Sequence, residues 1–208
     1  MENIIHIGAN EGQESDMYYN KGNPKVIFIE AHPGILPRLI DRISKYENQK
    51  AIQALVTDVD GKEYDFFYDK NNAGQSCSLF DFHLHKKMFP RVTMAGTIKL
   101  IGKTLPTILK ENNINLDEYK RINMDVEGAE LLVLKGASSI LHNFETIILE
   151  ASNFESRIGQ PFLKDIDEFM LSHNFVASTK RKIHHADGVN VVSIEEGNYY
   201  EVTYIQKK

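Results

Sequence analysis

The chain has 208 residues, 42% hydrophobic and 25% charged, a composition that suits one globular domain burying roughly 70% of its unfolded surface. Its 24 Lys and Arg against 29 Asp and Glu leave a net charge of −5, so no broad basic surface advertises nucleic acid. The single cysteine, Cys77, excludes an intramolecular disulfide, and no apolar run reaches membrane-span length or forms a signal-peptide core. The expectation is a soluble, cytoplasmic protein.

In chain order, Ile4 to Ile7 is a short apolar run that stops at Gly8. Val26 to Ile29 ends at Glu30, Ala51 to Val56 ends near Asp58, Ile122 to Val126 carries Asp125, and Thr146 to Leu149 ends at Glu150. Short β-branched runs of this kind read as strands buried on both faces of a parallel sheet. Helix-like stretches alternate with them: Pro33 to Tyr46, Leu105 to Asn112, Glu130 to Leu141 and Leu163 to His173. The alternation predicts an α/β domain with a doubly wound, mostly parallel sheet. Lys62 to Tyr68 and Tyr199 to Gln206 alternate like antiparallel strands, the second at the C-terminal end of the sheet. Residues 69–103 are the least regular and read as an insertion or mobile loop over the site, so that a hairpin and loop together fill 62–103.

Parallel α/β sheets bind ligands at the carboxyl ends of their strands. Gly8 to Gly12, Glu30, Thr57, Asp58, Asp125 and Glu150 occupy those ends. In "IIHIGANEGQ" two glycines sit in a strand-to-helix turn, where glycine allows positive φ and close approach of a ligand. Glu30, at the end of the next strand, is the place where an acid accepts hydrogen bonds from ribose hydroxyls. The G-x-x-x-G spacing is not the dinucleotide fingerprint, which favours a nucleoside without phosphates, such as S-adenosylmethionine.

These segments resemble the FkbM-type family of S-adenosylmethionine-dependent methyltransferases over about Ile4 to Glu150. "IIHIGANEGQ", "VIFIEAHPGILPRL" and "ALVTDVDGKEYDFF" are similar to its first three motifs. "INMDVEGAELLVLKGASSIL" resembles its most specific signature, and "TIILEAS" closes the pattern. Two positions depart from it: His6 stands where the family often has Asp, and Asn123 where it often has Lys. The resemblance implies a Rossmann-like domain of the class I methyltransferase type spanning 1–208. The short lead before the first strand suggests excision from a longer chain, with fusion to other glycan-assembly domains as one arrangement, or else a minimal form.

The resemblance further implies that Gly8, Ala9, Asn10 and Gly12 line the methionine and ribose part of the cofactor. It puts Glu30 on the ribose hydroxyls, Ala31 and His32 beside the adenine, Thr57 and Asp58 at the adenine edge, and Asp125 nearest the sulfonium. Asp125 is the expected catalytic base, taking the proton of an acceptor hydroxyl; His83, His85, His184 and His185 are its rivals. Ser76, Ser78, His83, Glu127 and Glu150 are expected around the acceptor. Glu130, in the first turn of the following helix, also suits a helix-dipole role. Clustered carboxylates would accept Mg²⁺ or Mn²⁺, although the sequence requires neither. The expected reaction is O-methylation of a sugar or glycan, with the basic segment 83–91 able to steer an anionic acceptor. A polyketide-like acceptor and a non-catalytic nucleoside-binding module are the alternatives.

Overall fold

A computed structural model describes residues 2–183 and 197–207. The first elements are β1 (Asn3–Ile7), α1 (Ser15–Asn20), β2 (Val26–Glu30), α2 (Leu36–Ile43), β3 (Gln49–Gln53), β4 (Leu55–Val56) and β5 (Glu63–Asp69). There follow α3 (His85–Met88), β6 (Met94–Lys103), α4 (Leu105–Glu111), β7 (Tyr119–Met124), α5 (Glu130–Gly136), β8 (Thr146–Ser152), α6 (Leu163–Ser172), β9 (Phe175–Ile183) and β10 (Tyr199–Gln206).

Seven strands form the main sheet in the order β3-β2-β1-β7-β8-β10-β9. The first five are parallel; β10 runs antiparallel to both of its neighbours, so β9, beyond it, shares the direction of the first five. The direction of the chain reverses across the sheet between β1 and β7, the switch point at which α/β sheets open a crevice. Successive side chains on a strand face opposite sides, and here both sides are apolar. Ile5, Ile7, Ile27 and Ile29 face Leu105, Ile108, Leu134 and Ile166 from α4, α5 and α6. Ile4, Val26 and Phe28 face Tyr18, Leu39 and Ile43 from α1 and α2. That double burial explains why β1 and β2 read as continuous apolar runs rather than alternating ones.

The structure corrects three expectations. The run 51–56 is not one strand. It breaks at Ala54, whose N–H bonds to the Glu30 carbonyl at 3.0 Å, and β4 leaves for a second, three-stranded sheet of order β4-β6-β5. Residues 94–103 are not irregular: β6 pairs antiparallel with β5 along its length. Its half-buried residues alternate with exposed ones, and Gly96 and Gly102 had disguised this period. β9 was not expected at all, because its middle is exposed and polar. A fourth detail fixes the route after β4. A Cβ on Gly136 would lie 2.1 Å from the Thr57 carbonyl, so α5 approaches that turn closely only because residue 136 is glycine. Among the described residues no helix is long and apolar enough to cross a membrane.

Candidate active site

The carboxyl ends of β1, β2, β7 and β8 open onto a cavity of ≈ 440 Å³, within the range of small-molecule sites. After β1 the chain turns at once. Gly8 has φ +79°, and a Cβ there would lie 1.7 Å from the Asp125 carbonyl oxygen. The Asp125 N–H in turn donates to the Ile7 carbonyl at 3.0 Å. Glycine at position 8 therefore lets the ends of β1 and β7 close together under the cavity floor.

Glu30 is buried at 5% exposure and organises this wall. Its carboxylate accepts from the Asn10 N–H at 2.8 Å and the His32 N–H at 2.7 Å. Burial pushes its pKa up, and the backbone N–H groups of His32, Asn10 and Ala31 pull against that shift. Gly8, Ala9, Asn10, Glu30 and Ala31 all line the cavity, together with an apolar slot from Ala54, Leu55, Val56 and Phe66.

Four other expected cofactor residues stand back from it. Gly12 is buried beneath Leu39. His32 accepts from the Gly34 N–H at Nδ1 and sets its ring edge-on to Tyr68. Thr57 is fully buried, its hydroxyl donating to the Val59 carbonyl, and Asp58 accepts from the Tyr64 hydroxyl at 3.0 Å. The break at Ala54 moves the cavity wall back to residues 54–56, ahead of the Thr57-Asp58 pair.

The acids of β7, α5 and β8 meet on the opposite wall. Asp125, Glu127, Glu130 and Glu150 all line the cavity, yet their bonding differs. Glu127, held at φ +55°, pairs with Arg157 Nη2 at 2.5 Å. Glu130 accepts from the backbone N–H groups of Val126 and Gly128 at 3.2 Å, which is the role of an acid in a helix first turn. Among the described residues, no hydrogen bond or ion pair reaches the carboxylate of Asp125 or Glu150. Desolvation, and then the neighbouring Glu150, Glu127, Glu130 and Glu14, raise the Asp125 pKa well above the ordinary carboxylate range, although the residue stays open to the cavity. Burial first and neighbouring acids second raise Glu150 to about 7, and burial raises Glu130 to about 7.

Ser76 lines the cavity and presents its carbonyl to Arg157 at 3.1 Å. Ser78 lies behind the wall, its hydroxyl donating to the Glu127 carbonyl at 2.7 Å. His83 is half-exposed beside Glu155, off the cavity. His85 lines it, stacked on Phe82 with ring centroids 4.4 Å apart. His184 and His185 lie outside the described residues. Among the lining residues not anticipated are Arg157, Gln160 and Tyr199. Arg157, 1% exposed, is a charged residue in the polar stretch after β8, and its position directly beyond "TIILEAS" was the one signal available. Among the described residues no three His, Cys, Asp or Glu side chains are arranged to hold a metal ion.

The profile described as "Methyltransferase FkbM domain" matches residues 6–177. No protein of curated function matches. An uncharacterized protein from Listeria monocytogenes serotype 4b shares the fold at TM-score 0.56 and 11% identity, covering 100% of this chain and 62% of that one. M. capricolum TrmK, solved with S-adenosyl-homocysteine, does so at TM-score 0.55 and 11% identity, covering 100% and 63%. The precorrin-6y C5,15-methyltransferase of Geobacter metallireducens GS-15 gives TM-score 0.53 at 14% identity, covering 99% and 80%. The chain thus spans a little over three fifths of the length of the first two. The chain belongs to the FkbM family of S-adenosylmethionine-dependent methyltransferases.

Proposed function

We propose that this chain methylates a hydroxyl of a sugar or glycan, with Asp125 as the base. S-adenosylmethionine, when bound, supplies an electrophilic methyl group on a sulfonium. The residues present fit it. Glu30 keeps lone pairs for ribose hydroxyls beyond its two backbone partners, the slot formed by Ala54, Leu55, Val56 and Phe66 suits an adenine, and the acids suit a cationic sulfur.

The observation that carries the assignment of the base is the contrast among the acids. Glu30, Glu127 and Glu130 each have protein partners, whereas the carboxylates of Asp125 and Glu150 have none among the described residues, and of these two Asp125 lies directly against the Gly8 turn. A carboxylate without a partner, raised above its ordinary pKa, can take a hydroxyl proton at neutral pH. Glu150 shares both properties and faces the same cavity; it accepts a neighbouring hydroxyl of the acceptor. Glu127, fixed by Arg157, accepts another.

The charge of the wall bears on the acceptor. Glu14, Glu30, Asp125, Glu127, Glu130 and Glu150 line the cavity against Arg157. That excess supports an uncharged glycan rather than a nucleotide-linked sugar, since a phosphate there would meet like charge. The test is turnover of S-adenosylmethionine with a panel of neutral glycans, nucleotide-linked sugars and polyketide-like phenols. Mass spectrometry should find one added methyl on a neutral carbohydrate. Methylation confined to polyketide-like compounds, to protein side chains or to nucleic-acid bases would refute the sugar assignment.

A further inference from the structure

The two departures from the family pattern touch one another. His6 and Asn123 are register partners on the adjacent strands β1 and β7. Both reach the same hydroxyl, that of Tyr18 on α1. The bonds run in one direction. Arg121 Nε donates to Asn123 Oδ1 at 2.8 Å, which turns the amide so that Nδ2 donates to the Tyr18 oxygen. Tyr18 is 2% exposed, so its own proton needs a partner inside the protein. The one acceptor within reach among its bonds is His6 Nδ1, at 3.0 Å. If Nδ1 carried a proton, Tyr18 would receive two hydrogen bonds and its hydroxyl proton would be stranded. The relay therefore leaves Nδ1 bare and puts the imidazole proton on Nε2.

His6 lines the cavity beside Gly8 and Ala9, and among the described residues nothing is bonded to Nε2. We propose that His6 holds the carboxylate of the cofactor's amino-acid tail through its Nε2–H, and that Arg121, Asn123 and Tyr18 are positioning residues that fix its tautomer. An Asp at this position could only accept, and would suit the ammonium of the tail. His6 donates, and so suits the other end. Burial keeps the imidazole pKa below its usual value, with Glu14 opposing and Arg121 reinforcing that shift, and burial pushes the Tyr18 hydroxyl up to about 12. Both groups are thus neutral near pH 7, as the relay requires. A donor here has a further use. Acids crowd the cavity and can serve an ammonium, but they leave a tail carboxylate short of partners. The inference rests on the cofactor and not on the identity of the acceptor.

The test needs no turnover. Nitrogen-15 NMR of the cofactor-free protein should show His6 protonated at Nε2, and Tyr18→Phe should mix the two tautomers. Calorimetry should show that His6→Leu weakens S-adenosylmethionine binding roughly 10- to 100-fold, the worth of a charge-assisted hydrogen bond. The same variant should leave decarboxylated S-adenosylmethionine within about twofold of wild type, since that probe lacks the group His6 holds. His6→Gln, whose amide can accept from Tyr18 and donate into the cavity, should restore most of the discrimination. A wild-type His6 protonated at Nδ1, or a His6→Leu variant that weakens both probes equally, overturns the proposal. Should Tyr18→Phe fail to fold, the wild-type tautomer and the His6→Leu calorimetry still decide it.

Discussion

At the scale of single residues, the acids around the cavity differ less in type than in bonding, and their substitutions should separate accordingly. Asp125→Asn keeps the shape and removes the proposed base, so turnover should fall roughly 10²- to 10⁴-fold, with folding nearly unchanged and cofactor affinity changed much less than the rate. In wild type the rate should rise with pH through a limb above the ordinary carboxylate range, because that is where Asp125 ionises; stopped assays from pH 5 to 9 would show whether the Asn variant loses that limb. If Glu150→Gln loses it and Asp125→Asn does not, the base is Glu150. Glu30→Ala removes an acceptor and frees two backbone N–H groups, so calorimetry should record S-adenosylmethionine binding weaker by roughly 1–3 kcal/mol. Much of this was legible in the sequence. Glycine before a strand-end turn and acids at strand ends are local patterns with a local cause, and Gly8, Glu30, Asp125, Glu127 and Glu150 do meet at one cavity. Thr57 and Asp58 do not line the cavity, because their position depends on where β3 stops, which is decided by a backbone bond from Ala54 to Glu30 and not by side-chain pattern. Tyr18 was invisible for a related reason: nothing in a tyrosine on a six-residue helix announces that it bridges two strands distant in sequence.

Among elements, the second sheet and the loop after β8 are tied to the catalytic wall through Arg157. Its guanidinium meets Glu127 on the β7–α5 turn and the Ser76 carbonyl on the segment after β5, and lies 4.9 Å from the Phe82 ring centroid. Among the described residues Nη1 has no partner, so the ion pair with Glu127 is the main return for burying this charge. Removing Arg157 leaves the Glu127 charge uncompensated; because Glu127 is 26% exposed, the cost falls below the roughly 3–5 kcal/mol of a fully buried pair. Arg157→Met should therefore lower the midpoint of urea unfolding markedly, and adding Glu127→Gln should recover a large part of the loss. If the double variant is no more stable than the single one, packing of Arg157 against Phe82 matters more than its charge. The sequence showed the elements on either side of this junction but not the junction itself. Parallel strands announce themselves because both faces are buried, as in β1 and β2. β9 is an edge strand, and β6, central in the second sheet, is half exposed, so their apolar signal is diluted by Lys and Thr, and in β6 by Gly, and their pairing depends on partners far along the chain.

For the whole molecule, a site that gathers acids costs stability that the cofactor can return. Asp125, Glu130 and Glu150 all have folded-state pKa values above the ordinary range, the last two at about 7. The folded protein therefore holds more protons on these groups than the unfolded chain between about pH 4.5 and 7, and stability falls as pH rises through that window. His6 and His32 act the other way. Burial lowers both, so their penalty is complete only below the lowered folded-state values and fades as pH rises to about 6.5, which raises stability with pH up to that point. The exposed acids Asp16, Asp60 and Glu118, with lowered pKa values, make a solvent-screened contribution that is lost only as pH falls below about 4.5. Three carboxylates oppose two histidines, one of them only partly buried, so the cofactor-free protein should melt at a lower temperature at pH 8 than at pH 5.5. Glu130→Gln should flatten that decline, because the amide side chain stays neutral and still presents an oxygen to Val126 and Gly128. S-adenosylmethionine carries a net positive charge near pH 7 and binds the folded state alone, so it should stabilise by mass action, and by more at pH 8, where the acids are ionised, than at pH 5.5. Thermal unfolding across that range, with and without saturating S-adenosylmethionine, measures both effects. A melting temperature that climbs steadily from pH 5.5 to 8 without cofactor, and a cofactor increment that shrinks over the same range, would mean that the acids are compensated from within the protein and that the cavity does not select its cofactor by charge.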